Sequence, residues 1–284
     1  MTPRSPEFVD RLEALQGTLR QTAPLTIAVS GGVDSTTLAC FAHRRLGRDR
    51  VRAVHASSAA VPKAALRRLR NLADAENWDF SIVDAGELAD PNYRSNPINR
   101  CFFCKTNLYR ALQSLSNGAV ASGTNCDDLG DYRPGLEAAR LHAVCHPYVT
   151  AGFSKDDVRS LALSLGLTDL AALPSSPCLS SRVETGQPIV EQDLRMIDAV
   201  ETWLRARLGN ITVRCRVRTV GIVVELDAVA LDKLSHAFRD DLLRDLKLAV
   251  PGLRDYDVLL APYRQGSAFV GDRTVMMPTG TVQS

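Results

Sequence analysis

At 284 residues, 45% of them hydrophobic and 23% charged, the chain is long enough for about two domains with ordinary cores. Its 34 lysines and arginines against 32 aspartates and glutamates leave a net charge of +2, which is no electrostatic footprint for nucleic acid or an anionic membrane. No apolar run approaches membrane-spanning length and the first residues lack the apolar core of a signal peptide, so a cytoplasmic protein is expected, with its seven cysteines as thiols, ligands or reactive groups.

Phe8, Leu12, Leu15 and Leu19 make one apolar helix face. Leu25–Val29 reads as a buried strand, and Leu38, Phe41 and Leu46 recur behind it at helical spacing. Between them lies Ser30-Gly31-Gly32-Val33-Asp34-Ser35-Thr36. Glycines there let the backbone turn sharply, and the new helix aims unpaired N–H groups at an anion, so the loop is a phosphate cradle. It has no Gly-Lys-Ser/Thr ending, and Asp34 stands where a lysine would help, which suits a magnesium-bridged pyrophosphate. The loop resembles that of the ATP pyrophosphatase superfamily.

Val51–His55 predicts a second strand, whose far end places His55 to Ser58 near the nucleotide; His55 itself reads more simply as a structural histidine. Pro62–Asn77 predicts a helix with Lys63, Arg67, Arg68 and Arg70 on a solvated face. Strands follow at Phe80–Val83 and Ala119–Ala121, with a fifth around Val144, and Ser154 with Asp157 caps a helix. Strands alternating with helices argue a parallel α/β sheet covered on both faces over residues 1–175. From 176 to 284 the texture changes: an amphipathic helix over Val190–Leu208, two alternating segments, a helix through Leu231–Phe238, and a strand over Asp255–Leu260 predict a smaller α+β domain. Arg214, Arg216 and Arg218 share one face there, with Glu225 and Asp227 on the next segment. Cross-strand pairing on a solvated face is the simpler reading, and an anionic-substrate pocket the alternative.

Cys101-Phe102-Phe103-Cys104 has a spacing that suits zinc, an iron–sulfur cluster or a redox pair, and alone chooses none of them. Cys178 lies in a Pro/Ser-rich segment with Arg182 close enough in sequence to favour thiolate. Gly123–Gly135 follows a strand and is dense in turn formers and acids, a place for magnesium on pyrophosphate. Cys40, Cys126 and Cys215 read as structural.

Taken together and in order, Ser30–Ser35, Asn99–Lys105, Gly123–Gly135, Pro177–Arg182 and Tyr263–Ser267 make the chain resemble the LarE family of ATP-dependent sulfurtransferases over nearly its whole length. That resemblance implies a small-molecule substrate, pyridinium-3,5-biscarboxylic acid mononucleotide, on the route to a nickel-pincer cofactor. ATP with Mg2+ adenylates a carboxylate and releases pyrophosphate, and a sulfur nucleophile displaces AMP. The family draws its sulfur from a sacrificed cysteine matching Cys178 or from a [4Fe-4S] cluster on three cysteines. The match of Cys101, Cys104 and Cys178 favours the cluster. The resemblance further implies catalytic roles for Cys178, Asp34 and Arg182. ATP contacts would come from Ser30, Gly31, Gly32, Val33, Asp34, Ser35, Thr36, Ala56, Gly123 and Thr124. Substrate contacts would come from Arg133, Ser180, Arg182, Arg214 and Arg264, and metal contacts also from Asp127, Asp131 and Glu225. A sulfide donor and a homo-oligomer are expected, with no nucleic acid and no membrane. tRNA thiolation shares the ATP loop but wants a basic surface. A zinc- or nucleotide-binding regulator is the non-enzymatic alternative.

Overall fold

The computed structural model describes residues 6–130, 133–175, 177–209 and 211–269. The chain divides into two compact units. One takes the residues up to Arg94 together with Asn99–Leu179, and the other takes Ser95–Ile98 together with the residues from Ser180 on.

The first unit is built on a four-stranded parallel sheet of order β3-β2-β1-β4, where β1 is Leu25–Ala28, β2 Val51–Ala56, β3 Asp79–Val83 and β4 Ala119–Ala121. All of β1 is buried, which is why it reads as a mostly apolar run rather than a polar-apolar alternation, its one hydroxyl, Thr26, being bonded to Ser116 Oγ at 3.0 Å. Its residues still alternate between two cores. Ile27, Ala53 and Ala121 pack with Leu15 and Leu19 of α1 (Pro6–Thr22), Leu38 and Phe41 of α2 (Val33–Leu46) and Leu69 of α3 (Lys63–Ala75). Ala28, Val54 and Val120 pack on the opposite face with Tyr109 and Leu112 of the helix Arg100–Leu115 and Ala138 and Ala139 of the helix Pro134–Leu141. Each fully buried Leu, Ile or Phe among these contributes roughly 1.5–3 kcal/mol relative to exposure.

The fifth strand expected around Val144 shrinks to a single parallel bridge between Ala121 and Cys145. Pro147 opens the next short helix, Pro147–Thr150, and has no N–H to extend a ladder. The Ser154 cap forms as expected: its side chain accepts from the Asp157 N–H, and Asp157 reaches back to the Ser154 N–H.

In the second unit β5 (Val213–Arg218) and β6 (Gly221–Leu226) form an antiparallel hairpin, and β7 (Val258–Pro262) lies parallel to β6. Val213, Cys215, Ile222, Val224 and Leu226 are all buried. So are Leu194, Ile197, Val200 and Leu204 of the helix Glu191–Leu208, while Val190 at its cap is exposed and Leu208 at its end is partly exposed. The last strand starts at Val258 rather than Asp255, because the turn Pro251–Leu253 carries the chain on first. Asn96 explains why a four-residue excursion, Ser95–Ile98, belongs to this unit. It is 0% exposed, and its amide donates to the carbonyls of Glu184 at 2.8 Å and Gln187 at 2.9 Å.

Candidate functional site

In the strand order β3-β2-β1-β4 the chain leaves β1 for β2 on one side and later reaches β4 on the other, so a crevice opens beyond the carboxyl ends of β1 and β4. The Ser30–Thr36 loop fills the β1 side. Gly31 has φ +79°, and a Cβ there would stand 2.8 Å from both the Cβ and the carbonyl oxygen of Ala65 in α3. Only glycine fits. The Ser30 N–H donates to Ser35 Oγ at 3.0 Å, and the Gly32 N–H donates to Ser30 Oγ at 3.3 Å. Gly32 caps α2 without any side-chain hydrogen bond, which leaves first-turn N–H groups for an anion. From the β4 side Gly123 presses against the loop: a Cβ there would lie 2.5 Å from Ser35 N. Thr36 is 0% exposed, and its hydroxyl has no hydrogen-bond partner among the described residues. Ala56 ends β2 and Thr124 follows β4, both partly exposed.

Asp34 is the most heavily engaged residue of the loop. Lys155 Nζ lies 2.6 and 2.5 Å from its two carboxylate oxygens, Asn125 Nδ2 donates to it at 3.2 Å, and the Tyr148 hydroxyl donates to its carbonyl at 3.3 Å. Lys155 is the first residue of the helix Lys155–Ser164, and its N–H donates to Asp127 at 2.7 Å. Asn125 caps the turn Cys126–Leu129, where Asp128 returns the bond to the Asn125 N–H. Asp128 also pairs with Arg133 at 2.7 Å. Asp127 and Asp128 thus order the loop, and Asp131 lies outside the described residues. His55 is 1% exposed with Nδ1 2.8 Å from the Val29 carbonyl, and burial lowers its pKa, as befits a structural neutral imidazole.

Lys155 and Asn125 are the loop partners that sequence reasoning missed. The signal for Lys155 was its place directly after a capping serine, where it was absorbed into the helix. Arg68, read as solvated, is a correction: its Nη1 donates to the Gly31 carbonyl at 2.5 Å, because Ala65 packs on the loop and Arg68 follows one helical turn later.

Cys101 and Cys104 are the second and fifth residues of the helix Arg100–Leu115. The chain returns near the sheet's carboxyl end at Leu179, whose N–H donates to the Ala60 carbonyl at 2.8 Å, and this places Cys178 in the same unit. Protein packed about its sulfur pushes the Cys104 thiol up to about 12, with Lys105 opposing and Cys178 adding to the rise. Close packing about the sulfur, then Cys178, likewise raises the Cys101 thiol, although the residue as a whole is exposed. Lys105 lies 5.8 Å from the Tyr109 ring centroid; Tyr109, then Cys104, Cys101 and Cys178, hold its ammonium pKa up. Three soft thiols within electrostatic reach of one another are the right donor type for an iron–sulfur cluster. Among the described residues, however, no group of three or more His, Cys, Asp or Glu is gathered closely enough to hold a metal ion.

In the second unit the arginine face is not simply solvated. Arg216 is 4% exposed and pairs with Glu225 at 3.0 Å, Arg218 pairs with the same carboxylate at 2.8 Å, and Ser267 Oγ donates to it at 2.6 Å. Cationic and hydroxyl donors thus already occupy the Glu225 carboxylate, which was expected to ligate metal. Asp227 caps the helix Ala228–Asp232 instead of facing the arginines. Arg182 is 1% exposed, its guanidinium bound to Glu201 at 2.9 and 3.2 Å, while Arg205 approaches Glu201 at 2.7 Å. Burial opposes ionisation of Glu201, but the two guanidiniums hold its carboxyl below the usual range. Arg182 is therefore neutralised by Glu201, which the sequence reading did not single out. Ser180 is 0% exposed and Arg264 is exposed. Arg214 keeps its charge apart from carboxylates: its Nη1 donates to the Val213 carbonyl at 2.8 Å and its guanidinium stands 5.7 Å from the Tyr263 ring centroid.

No protein-family model matches the chain. Among curated proteins it is 31% identical over 256 residues to pyridinium-3,5-bisthiocarboxylic acid mononucleotide synthase of Lactiplantibacillus plantarum, covering 89% of this chain and 91% of that protein. It is 37% identical over 213 residues to an uncharacterized protein of Synechocystis, covering 72% of this chain and 77% of the other. A more distant likeness, 28% over 204 residues, is to the glutamine-hydrolyzing GMP synthase of Aeropyrum pernix, covering 63% of this chain and 38% of that protein.

Proposed function

The chain belongs to the LarE family of pyridinium-3,5-bisthiocarboxylic acid mononucleotide synthases, and on that premise we propose that it is an ATP-dependent sulfurtransferase acting on a pyridinium carboxylate mononucleotide. The observation that carries the reading is the anion cradle at Ser30–Thr36, with Lys155 set on Asp34 beside it. In this reading the loop N–H groups and the hydroxyls of Ser30, Ser35 and Thr36 hold the phosphates of ATP, while Ala56, Gly123 and Thr124 border the nucleoside. A carboxylate oxygen of the substrate attacks the α-phosphorus. The α–β phosphoanhydride bond breaks, pyrophosphate leaves with the electron pair, and an acyl-adenylate forms. A sulfur nucleophile then adds to the acyl carbon and expels AMP, leaving a thiocarboxylate.

Mg2+ on the departing pyrophosphate would draw on Asp34 and Asp127, the carboxylates on either side of Lys155, and would neutralise charge there. Cys101, Cys104 and Cys178 would hold a [4Fe-4S] cluster that carries the sulfur to be transferred. The second reading, sacrifice of Cys178, is favoured by the exposure of that residue. Arg214, Arg264 and Arg133 are assigned to the anionic groups of the substrate. Arg182, paired with Glu201 and donating to Ser181 Oγ at 2.9 Å, is assigned to the substrate side. The family resemblance further implies a cytoplasmic homo-oligomer fed by a sulfide donor; no helix among the described residues is long and apolar enough to cross a membrane.

The test is an anaerobic incubation of the full chain with ATP, Mg2+, pyridinium-3,5-biscarboxylic acid mononucleotide and sulfide, followed by mass spectrometry of the substrate. Replacement of a carboxylate oxygen by sulfur, dependent on ATP, is the expected result. An unmodified substrate with active, ATP-binding protein contradicts the reading.

A further inference from the structure

α3 presents four basic residues, of which Lys63, Arg67 and Arg70 are exposed and Arg68 is partly buried. Arg68 turns toward the loop and donates from Nη1 to the Gly31 carbonyl at 2.5 Å. The contact is fixed from both sides: Gly31 packs so closely on Ala65 that no Cβ fits, and Ala65 and Arg68 share one face of α3 at i, i+3. A guanidinium carries five N–H donors. Among the described residues the Gly31 carbonyl is the one hydrogen-bond acceptor for Arg68, and no carboxylate pairs with it. Three other partly buried cations of this unit, Arg11, Arg52 and Lys155, are neutralised by Asp157, Asp79 and Asp34, whereas Arg159 is spent on the carbonyls of Ala171 and Leu173, away from the phosphate loop. Burial, and then the neighbouring Arg67, work against the charge of Arg68. A cation half withdrawn from water, held against a phosphate loop and given no anion by the protein, is arranged for an anion that the protein binds.

We propose that Arg68 binds the pyrophosphate end of ATP and stabilises it as it departs, a role that rests on the reading above that the loop holds ATP. The planar fork matches a pair of phosphate oxygens, and a donor already in place gains most where charge accumulates in the transition state. Lys155, on the Asp34 side of the loop, would flank the same anion from the other end. The alternative role is a clamp that merely shapes Gly31. The two differ in what they do to AMP, which uses the loop but has no pyrophosphate.

The experiment is calorimetric titration of the full chain, wild type, Arg68→Gln and Arg68→Lys, with Mg2+–ATP, Mg2+–pyrophosphate and AMP. Loss of one charge-assisted contact should weaken ATP and pyrophosphate about 10- to 100-fold in Arg68→Gln, with partial recovery in Arg68→Lys. AMP affinity should stay within about twofold, which also certifies the fold of the variant. Equal weakening of ATP and AMP assigns Arg68 to the clamp and overturns the proposal, as does an unchanged ATP affinity. If wild type itself fails to bind ATP, the parent reading fails, an outcome separate from both.

Discussion

Lys155 Nζ lies 2.5 and 2.6 Å from the two carboxylate oxygens of Asp34, across 121 positions of sequence. The loop lacks the lysine of the common nucleotide-binding motif, yet the fold returns one from the start of the helix Lys155–Ser164. On the proposed function that ammonium would meet the phosphates of ATP once a cation or nucleotide competes for the aspartate. Lys155→Ala should lower the rate of pyrophosphate release roughly 10- to 100-fold, the scale of one charge-assisted contact. Both partners are partly exposed, so thermal stability should change by less than about 1 kcal/mol. Steady-state pyrophosphate release and a melting curve check the two halves of this prediction.

Two glycines set the width of the cradle. A methyl group at Gly123 would meet Ser35 N at 2.5 Å, backbone against backbone. Gly123→Ala should therefore push α2 away from β4, abolish nucleotide binding and cost roughly 1–3 kcal/mol of stability, while Gly17→Ala, mid-helix with nothing within 4 Å, should leave nucleotide binding unchanged and stabilise by about 0.5–1 kcal/mol. Nucleotide titration and urea denaturation of the two variants distinguish these outcomes.

The parallel sheet was legible because β1 is a short, mostly apolar and partly β-branched run ending in a glycine turn, a local pattern. The Ser154 cap was legible for the same reason. Lys155 on Asp34, Arg68 on Gly31 and Glu201 between Arg182 and Arg205 were not, since each joins elements whose approach depends on packing rather than spacing. The arginine alternation on β5 was read correctly as a face. Glu225 was already its expected partner on the next segment; what the pattern lacked was the burial of that carboxylate, 2% exposed, which draws Arg216 and Arg218 inward and leaves Arg214 to Tyr263.

Arg214 and Arg216 should accordingly behave as opposites. Arg214→Ala removes a cation without a carboxylate partner and should weaken substrate binding about 10-fold or more with little loss of stability. Arg216→Ala strips a buried carboxylate of one partner and should destabilise the protein by about 3 kcal/mol. Chemical denaturation beside substrate titration reads both.

The Glu201 carboxyl is held below its usual range by Arg182 and Arg205, and the sign of its pH dependence follows. Its contribution is present above the unfolded pKa of about 4.3 and is lost as pH falls through the lower folded value. Glu201→Gln should cost about 3–5 kcal/mol at neutral pH, since Arg182 is left buried without its anion. The gap between wild type and variant should narrow once the pH falls below that window. Denaturation curves at neutral and strongly acid pH test it.

The sulfur source separates by variant. If Cys101, Cys104 and Cys178 act together, alanine at any one of them stops turnover with added sulfide, and Cys40→Ala does not. If Cys178 alone is sacrificed, Cys101→Ala remains nearly active, and spent protein carries dehydroalanine at position 178, visible by peptide mass spectrometry.

The central claim is that ATP is split between its α and β phosphates to drive sulfur transfer. Phosphorus NMR of a reaction containing the full chain, Mg2+–ATP, the pyridinium biscarboxylate mononucleotide and sulfide observes this directly. AMP and pyrophosphate should appear in equal amounts, matched to the thiocarboxylate formed, whereas ADP and orthophosphate as the products would contradict it.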